Sequence, residues 1–194
     1  MKIKKLLFAS ALLFSAYNAS AQTQVIAHRG FWKTEGSAQN SIAALLKADS
    51  IGCYGSEFDV WLAADDQLVV NHDPTFKGKR MENSPSTALT GIKLDNGESL
   101  PTLAKYLKAA QPLHTRLILE LKAHSTPLRE TKAIEKIVAL VKDMGLEERM
   151  EYITFSLHAT KEFIRLAPEG TPVYYLDGNL SPKELKELGC AGPD

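Results

Sequence analysis

Extended and helical segments alternate along this chain, and that alternation limits the fold more than any other feature. Val25-Ile26-Ala27 is a short apolar run that stops at His28-Arg29-Gly30. Residues 41–50 carry Ile42, Leu45 and Leu46, followed by Ile51, at helical spacing, with Gly52 as a stop. Gly55-Ser56-Glu57-Phe58-Asp59-Val60 is extended, and residues 68–72 form a second extended piece closed by Asp73-Pro74. Residues 101–110 read as a helix with Pro101 at an early position and Leu103, Tyr106 and Leu107 on one face. Residues 116–122 are apolar until Glu120 and Lys122, as in a strand of a parallel sheet covered by helices. Residues 127–143 form an amphipathic helix, 152–156 a strand, 159–166 a helix, 173–176 a strand, and 181–188 a last helix stopped by Gly189. The stretch 74–100 is the least regular and reads as a long loop, of the kind that is usually functional or mobile.

Such βα units imply an α/β fold with a parallel sheet, either an open doubly wound sheet or a closed (β/α)8 barrel. No Gly-x-Gly-x-x-Gly follows the first strand, which weakens a dinucleotide-binding sheet. Polar residues gather at strand C-terminal ends: His28, Glu57 and Asp59, Glu120 and Lys122, Ser156, Asp177. Barrel active sites are built there. The chain supplies about five βα units, whereas a barrel has eight in typically ~250 residues. The expectation is therefore a barrel truncated after about five units, with an open sheet as the competing arrangement.

The first 21 residues stand apart. A basic start (Met1-Lys2-Ile3-Lys4-Lys5), an apolar run over 6–17 and the small-residue sequence Ala19-Ser20-Ala21 read as a secretory signal peptide cleaved before Gln22. The run is too short for a membrane span of ~20 residues. Export to the periplasm or the medium, without a stable membrane anchor, is expected, and residues 22–194 form one domain. Losing Lys2, Lys4 and Lys5 takes a balanced chain to three net negative charges, which gives no reason to expect nucleic acid as a partner. An exported chain could pair Cys53 with Cys190, but two small buried apolar residues is the favoured reading.

Along a strand, side chains two apart share a face, so Glu57 and Asp59 point one way and Phe58 and Val60 the other. Two carboxylates side by side are costly inside a fold unless a cation lies between them. With Glu120 they form a set of hard oxygen donors suited to Ca²⁺ or Mg²⁺ rather than Zn²⁺. Arg29 and Lys122 suit an anionic, phosphate-like group. His28 and His72 can exchange protons near neutral pH. Together these groups suit hydrolysis of a phosphate ester. Trp32 can line a pocket or stack on a choline-like cation, with plain packing as the alternative, and Trp61 reads as core.

Val25-Ile26-Ala27-His28-Arg29-Gly30, Gln39-Asn40-Ser41, Glu57-Phe58-Asp59-Val60, Val70-Asn71-His72-Asp73 and Leu119-Glu120-Leu121-Lys122 occur in order over residues 25–122, with Pro101-Thr102-Leu103 between the last two. This series resembles the glycerophosphodiester phosphodiesterase family. The resemblance implies a TIM barrel, a divalent metal on Glu57, Asp59 and Glu120, acid–base work by His28 and His72, and phosphate contacts from Arg29 and Lys122. It implies hydrolysis of glycerophosphodiesters to an alcohol and glycerol 3-phosphate. Attack by the neighbouring glycerol hydroxyl, through a cyclic intermediate, is a route considered for such sites. The irregular 74–100 stretch corresponds to the family's insertion over the barrel mouth. Gln39-Asn40-Ser41 stands where the family usually has Glu-Asn-Thr, and Ala104-Lys105 where it is often acidic. A phospholipase D-like enzyme on the same fold and a non-catalytic phosphodiester-binding barrel are the alternatives.

Overall fold

The computed structural model describes residues 23–192. The signal peptide expected over 1–21 lies outside them. In chain order the strands are Ile26–Ala27 (β1), Gly55–Leu62 (β2), Leu68–Val70 (β3), Thr75–Phe76 (β4), Lys79–Arg80 (β5), Arg116–Leu121 (β6), Met150–Thr154 (β7) and Val173–Tyr175 (β8). The helices are Ile42–Ser50 (α1), Ser86–Thr90 (α2), Leu103–Ala110 (α3), Pro127–Asp143 (α4), Leu157–Leu166 (α5) and Pro182–Leu188 (α6).

Five strands lie side by side in the order β1-β2-β6-β7-β8, each pair parallel. The expected count of about five βα units is therefore found, as an arc of parallel strands backed by helices. β3 adds to β2 in antiparallel register, Trp61 opposite Val69, so the second extended piece is a return strand and not a barrel strand. A two-residue-period split explains how β2 can be buried along its whole length. Phe58, Val60 and Leu62 pack outward with Leu117, Leu119 and Leu121 against α1, α3 and α4, and Phe58 meets Tyr106 of α3 at 4.5 Å between ring centroids. Glu57 and Asp59 take the opposite face. Trp61, on that same side, joins the second apolar cluster described below.

Several sequence expectations change in detail. Helix α3 starts at Leu103 because the Thr102 hydroxyl caps it, accepting the Lys105 N–H at 3.2 Å. Pro101 lies before the cap, and its carbonyl accepts the Val70 N–H at 2.9 Å. The buried stripe of α1 is Ala44, Leu45 and Ala48, not Leu46 and Ile51, which are 43% and 56% exposed. Small alanines let the helix approach the sheet closely. Strand β7 ends at Thr154 because Ser156 turns to cap α5. Residues 74–100 are no bare loop. They hold the β4–β5 hairpin, a 3₁₀ turn Met81–Asn83 and α2. Met81, Leu89, Ile92, Leu94 and Leu100 close over Trp61 and Val69 as a second apolar cluster. Cys53 and Cys190 are unpaired and only partly buried, and burial raises both thiol pKa values. No helix among the described residues is long and apolar enough to cross a membrane.

Candidate active site

The β1–α1 turn sets the first part of the site. Gly30 has a left-handed φ of 74° and packs so closely on α1 that a Cβ there would meet Ala44 Cβ at 2.7 Å. Its N–H bonds the carbonyls of Ala27 and Glu57, each at 3.1 Å, which ties the turn to β2. Arg29, itself left-handed at φ 61°, therefore aims its backbone N–H at Glu57 Oε2, 2.7 Å away. His28, just past β1, stands at the mouth with its side chain 67% exposed and Nε2 3.9 Å from Glu57 Oε2.

Register brings the acids together. Asp59 lies opposite Glu120 in the parallel β2–β6 pair. Donor oxygens of Glu57, Asp59 and Glu120 all fall within 4.8 Å of one another, and all three residues are buried. Lys122, two residues beyond Glu120, places Nζ 3.2 Å from Asp59 Oδ1 and 2.7 Å from Glu120 Oε1. Arg29 Nε approaches Asp59 Oδ2 at 4.0 Å, while Nη1 donates to Gln39 Oε1 at 2.5 Å. Burial, and then the Asp59 charge, push the Glu57 carboxyl up to about 8. Burial also raises Glu120, against the opposing Lys122 ammonium. His28 is lowered by burial and then by Arg29, with His72 and Lys122 adding to the effect and Asp59 opposing it.

His72 follows β3. The Asn71 N–H bonds the Asp59 carbonyl at 3.0 Å, the Trp61 indole N–H reaches the His72 carbonyl at 3.3 Å, and His72 Nδ1 pairs with Asp73 Oδ1 at 2.7 Å. Beside it opens a cleft of about 240 Å³ bordered by Trp32, Gln39, Asn40, Asn71, His72 and Phe76. Trp32 thus lines the cleft, and Lys33 Nζ sits 5.3 Å over its ring.

The residues fit a divalent cation. Glu57 Oε1 is buried without a hydrogen-bond partner, a costly condition that a cation relieves. The all-oxygen donor set is the type that hard divalent ions take.

The fold thus gathers His28, Arg29, Glu57, Asp59, Glu120, Lys122 and His72 at one end of the sheet. Ser156 and Asp177 stay out. Ser156 caps α5 and donates to Glu130 at 2.6 Å, and Asp177 is exposed and bonds Tyr175 and Asn179. Sequence reasoning missed Asn40 as part of the site, although it lies inside the Gln39-Asn40-Ser41 motif. Its φ of 59° turns its amide onto Asp59, and an Asn in a turn between a strand and a helix cap was the available signal.

Parallel strands that gather three carboxylates at their C-terminal ends, with one histidine just past β1 and a second just past the antiparallel β3, define a barrel-type α/β protein with its polar site at that end of the sheet. No family model matches the chain. The chain is 29% identical over 160 residues to a glycerophosphodiester phosphodiesterase of Caldanaerobacter subterraneus subsp. tengcongensis, covering 76% of this chain and 64% of that one. It therefore spans a little under two thirds of that curated relative. A crystal structure of a glycerophosphodiester phosphodiesterase from Parabacteroides distasonis superposes with a TM-score of 0.84 at 55% identity, covering 86% of this chain and 70% of that one. An Oleispira antarctica phosphodiesterase, solved with the product sn-glycerol-3-phosphate, gives a TM-score of 0.73 at 26% identity, over 87% of this chain and 73% of that one. The chain belongs to the glycerophosphodiester phosphodiesterase family, and its fold class is the family's TIM barrel.

Proposed function

We propose that this protein hydrolyses glycerophosphodiesters to an alcohol and glycerol 3-phosphate, using a divalent cation held by Glu57, Asp59 and Glu120. The observation that carries the reading is the buried, partnerless Oε1 of Glu57 inside a three-carboxylate cluster flanked by two histidines. The product bound in the Oleispira antarctica structure supports glycerol 3-phosphate as the product here. When bound, the cation supplies charge that offsets the developing negative charge on phosphate oxygens. The donor set suits Ca²⁺ or Mg²⁺.

The chain's own groups do the rest. Arg29 and Lys122 hold the anionic phosphate oxygens. One of His28 and His72 takes the proton from the attacking oxygen, and the other gives a proton to the departing alcohol. Burial and the nearby cations keep His28 below its ordinary value, hence able to accept a proton at neutral pH. The cleft beside His72 takes the alcohol. Arg29 is itself steadied by Gln39, where the family's glutamate would place a carboxylate. We place the protein outside the cytoplasm, on the strength of its N-terminal sequence.

The test is release of glycerol 3-phosphate from glycerophosphocholine and glycerophosphoethanolamine by the mature protein, with chelator and after adding back Ca²⁺ or Mg²⁺. Chelator-sensitive release is expected. Tight substrate binding without release would instead make this a binding barrel.

A further inference from the structure

His124 stands three residues beyond the end of β6 and bridges the two strands that carry the acids. Its Nε2 accepts the backbone N–H of Leu62 at 2.9 Å. An N–H can only donate, so Nε2 is bare and the proton is on Nδ1, which donates to the Lys122 carbonyl at 2.6 Å. The ring also lies against Trp61, 5.3 Å between centroids and tilted 56°. Trp61 in turn holds the His72 carbonyl through its indole N–H. One imidazole thus touches the backbone of Lys122 directly and the backbone of His72 through a single intervening ring.

The bridge is braced on its far side. Arg129 Nη2 donates to the carbonyls of Leu62 and Ala63 at 2.8 and 3.1 Å, so both backbone polar groups of Leu62 are held by side chains. The buried Glu130 carboxylate accepts the backbone N–H of His124 at 3.1 Å and the Ser156 hydroxyl at 2.6 Å. Burial lowers the His124 pKa, in keeping with the neutral form that the Leu62 bond requires. Nothing in the proposed chemistry uses this histidine, and a loop clamp would not need an aromatic ring laid on Trp61.

We propose that His124 is a positioning residue, which ties the end of β2 to the end of β6 and, through Trp61, sets where His72 and Lys122 stand toward the phosphate. This rests on the reading that His72 and Lys122 act on a phosphodiester at this site. The full chain would be compared with His124→Ala, with His124→Gln, whose side-chain carbonyl can replace the acceptor for Leu62, and with Trp61→Phe, which keeps a ring but loses the N–H. Expected for His124→Ala is a kcat lowered by about ten- to a hundredfold, with the affinity for Mg²⁺ within about twofold of the parent, since none of the three acids is replaced. His124→Gln should recover most of the loss. The ring resonances of His72 in a ¹H–¹³C NMR spectrum should move in His124→Ala and in Trp61→Phe and return in His124→Gln. Unmoved His72 resonances in Trp61→Phe overturn the proposal even if His124→Ala does not fold, and so does parental kcat in a folded His124→Ala. An inactive parent protein would instead undo the functional reading, while the His72 resonances still decide whether His124 positions it.

Discussion

Asn40 grips Asp59 by both ends of its amide. Its Nδ2 donates to Asp59 Oδ2 at 2.8 Å, and its Oδ1 accepts the Asp59 backbone N–H at 3.1 Å. The acid is completely buried and Asn40 nearly so. The pair fixes one carboxylate of the cluster in rotation as well as in place, which is what a cation site needs from the groups behind its ligands. Asn40 can do this because the chain takes a left-handed turn there, just before Ser41 caps α1.

Asn40→Ala should therefore weaken divalent-cation binding by about ten- to a hundredfold, the usual cost of losing a group that orients a ligand. It should also lower stability, since Ala is strained at φ 59° and leaves the buried Asp59 carboxylate short of a donor. Calorimetric titration with Ca²⁺ and Mg²⁺, alongside thermal melts in chelator, separates the two effects. Unchanged cation affinity would mean that Asp59 holds its position without this amide.

Glu57 gives a prediction about protons. In the cation-free protein its carboxyl is pushed up to about 8 by burial and by Asp59. At pH 7 it is then mostly protonated, and a cation needs it ionised. Binding must therefore release a proton, and affinity must rise as pH climbs toward 8. The sign for stability is opposite in the absence of cation. The folded value lies above the ordinary 4.5, so the folded state holds more protons than the unfolded one between about pH 4.5 and 8. Cation-free stability should fall as pH rises through that window. Titration calorimetry in two buffers of different ionisation enthalpy counts the proton, and melts across pH in chelator check the sign. Buffer-independent heats would contradict a protonated Glu57.

How far the sequence spoke for itself can be judged from these same residues. Glu57 and Asp59 were legible because strand period alone puts them on one face. Helices α4 and α6 were legible to within a residue because Thr126-Pro127 and Ser181-Pro182 are strong starts and Gly145 and Gly189 strong stops. The antiparallel return of β3 was not, since an extended run of Leu and Val reads alike in either direction. The order within 74–100 was hidden because its apolar residues are spread singly and pack on Trp61 and Val69, contacts that no local pattern announces. Asn40 was hidden for a similar reason: its partner is 19 residues away.

His72→Ala should abolish most turnover while leaving the fold in place. The imidazole makes its hydrogen bond to Asp73, whose side chain is 65% exposed, so little structure depends on the ring. What fixes the segment is backbone, through Trp61 and the Asp59 carbonyl, and both contacts survive truncation. Loss of a general acid or base costs about 10²- to 10⁴-fold in rate. Turnover of glycerophosphocholine with circular dichroism as a control measures both. Activity within a few-fold of the parent would remove His72 from the acid–base pair.

Lys122 is the residue for which two effects pull in opposite directions. Its ammonium now neutralises Asp59 and Glu120, with its side chain only 15% exposed. A cation entering the cluster must share those oxygens with it. Lys122→Met keeps the apolar stem and removes the charge. In chelator the variant should be less stable, by about 2 kcal/mol and short of the ~3–5 kcal/mol for breaking a fully buried pair. The discount follows from Glu57 and Glu120, whose carboxyls are already raised and can take up a proton instead. Cation affinity should rise, because a competing positive charge is gone. Turnover should nevertheless fall by about ten- to a hundredfold, since a hydrogen bond to a charged phosphate oxygen contributes ~1.5–3 kcal/mol. Calorimetry and steady-state kinetics on one preparation decide the matter. If cation affinity and turnover fall together, Lys122 serves to build the carboxylate cluster and the phosphate contact must be assigned elsewhere.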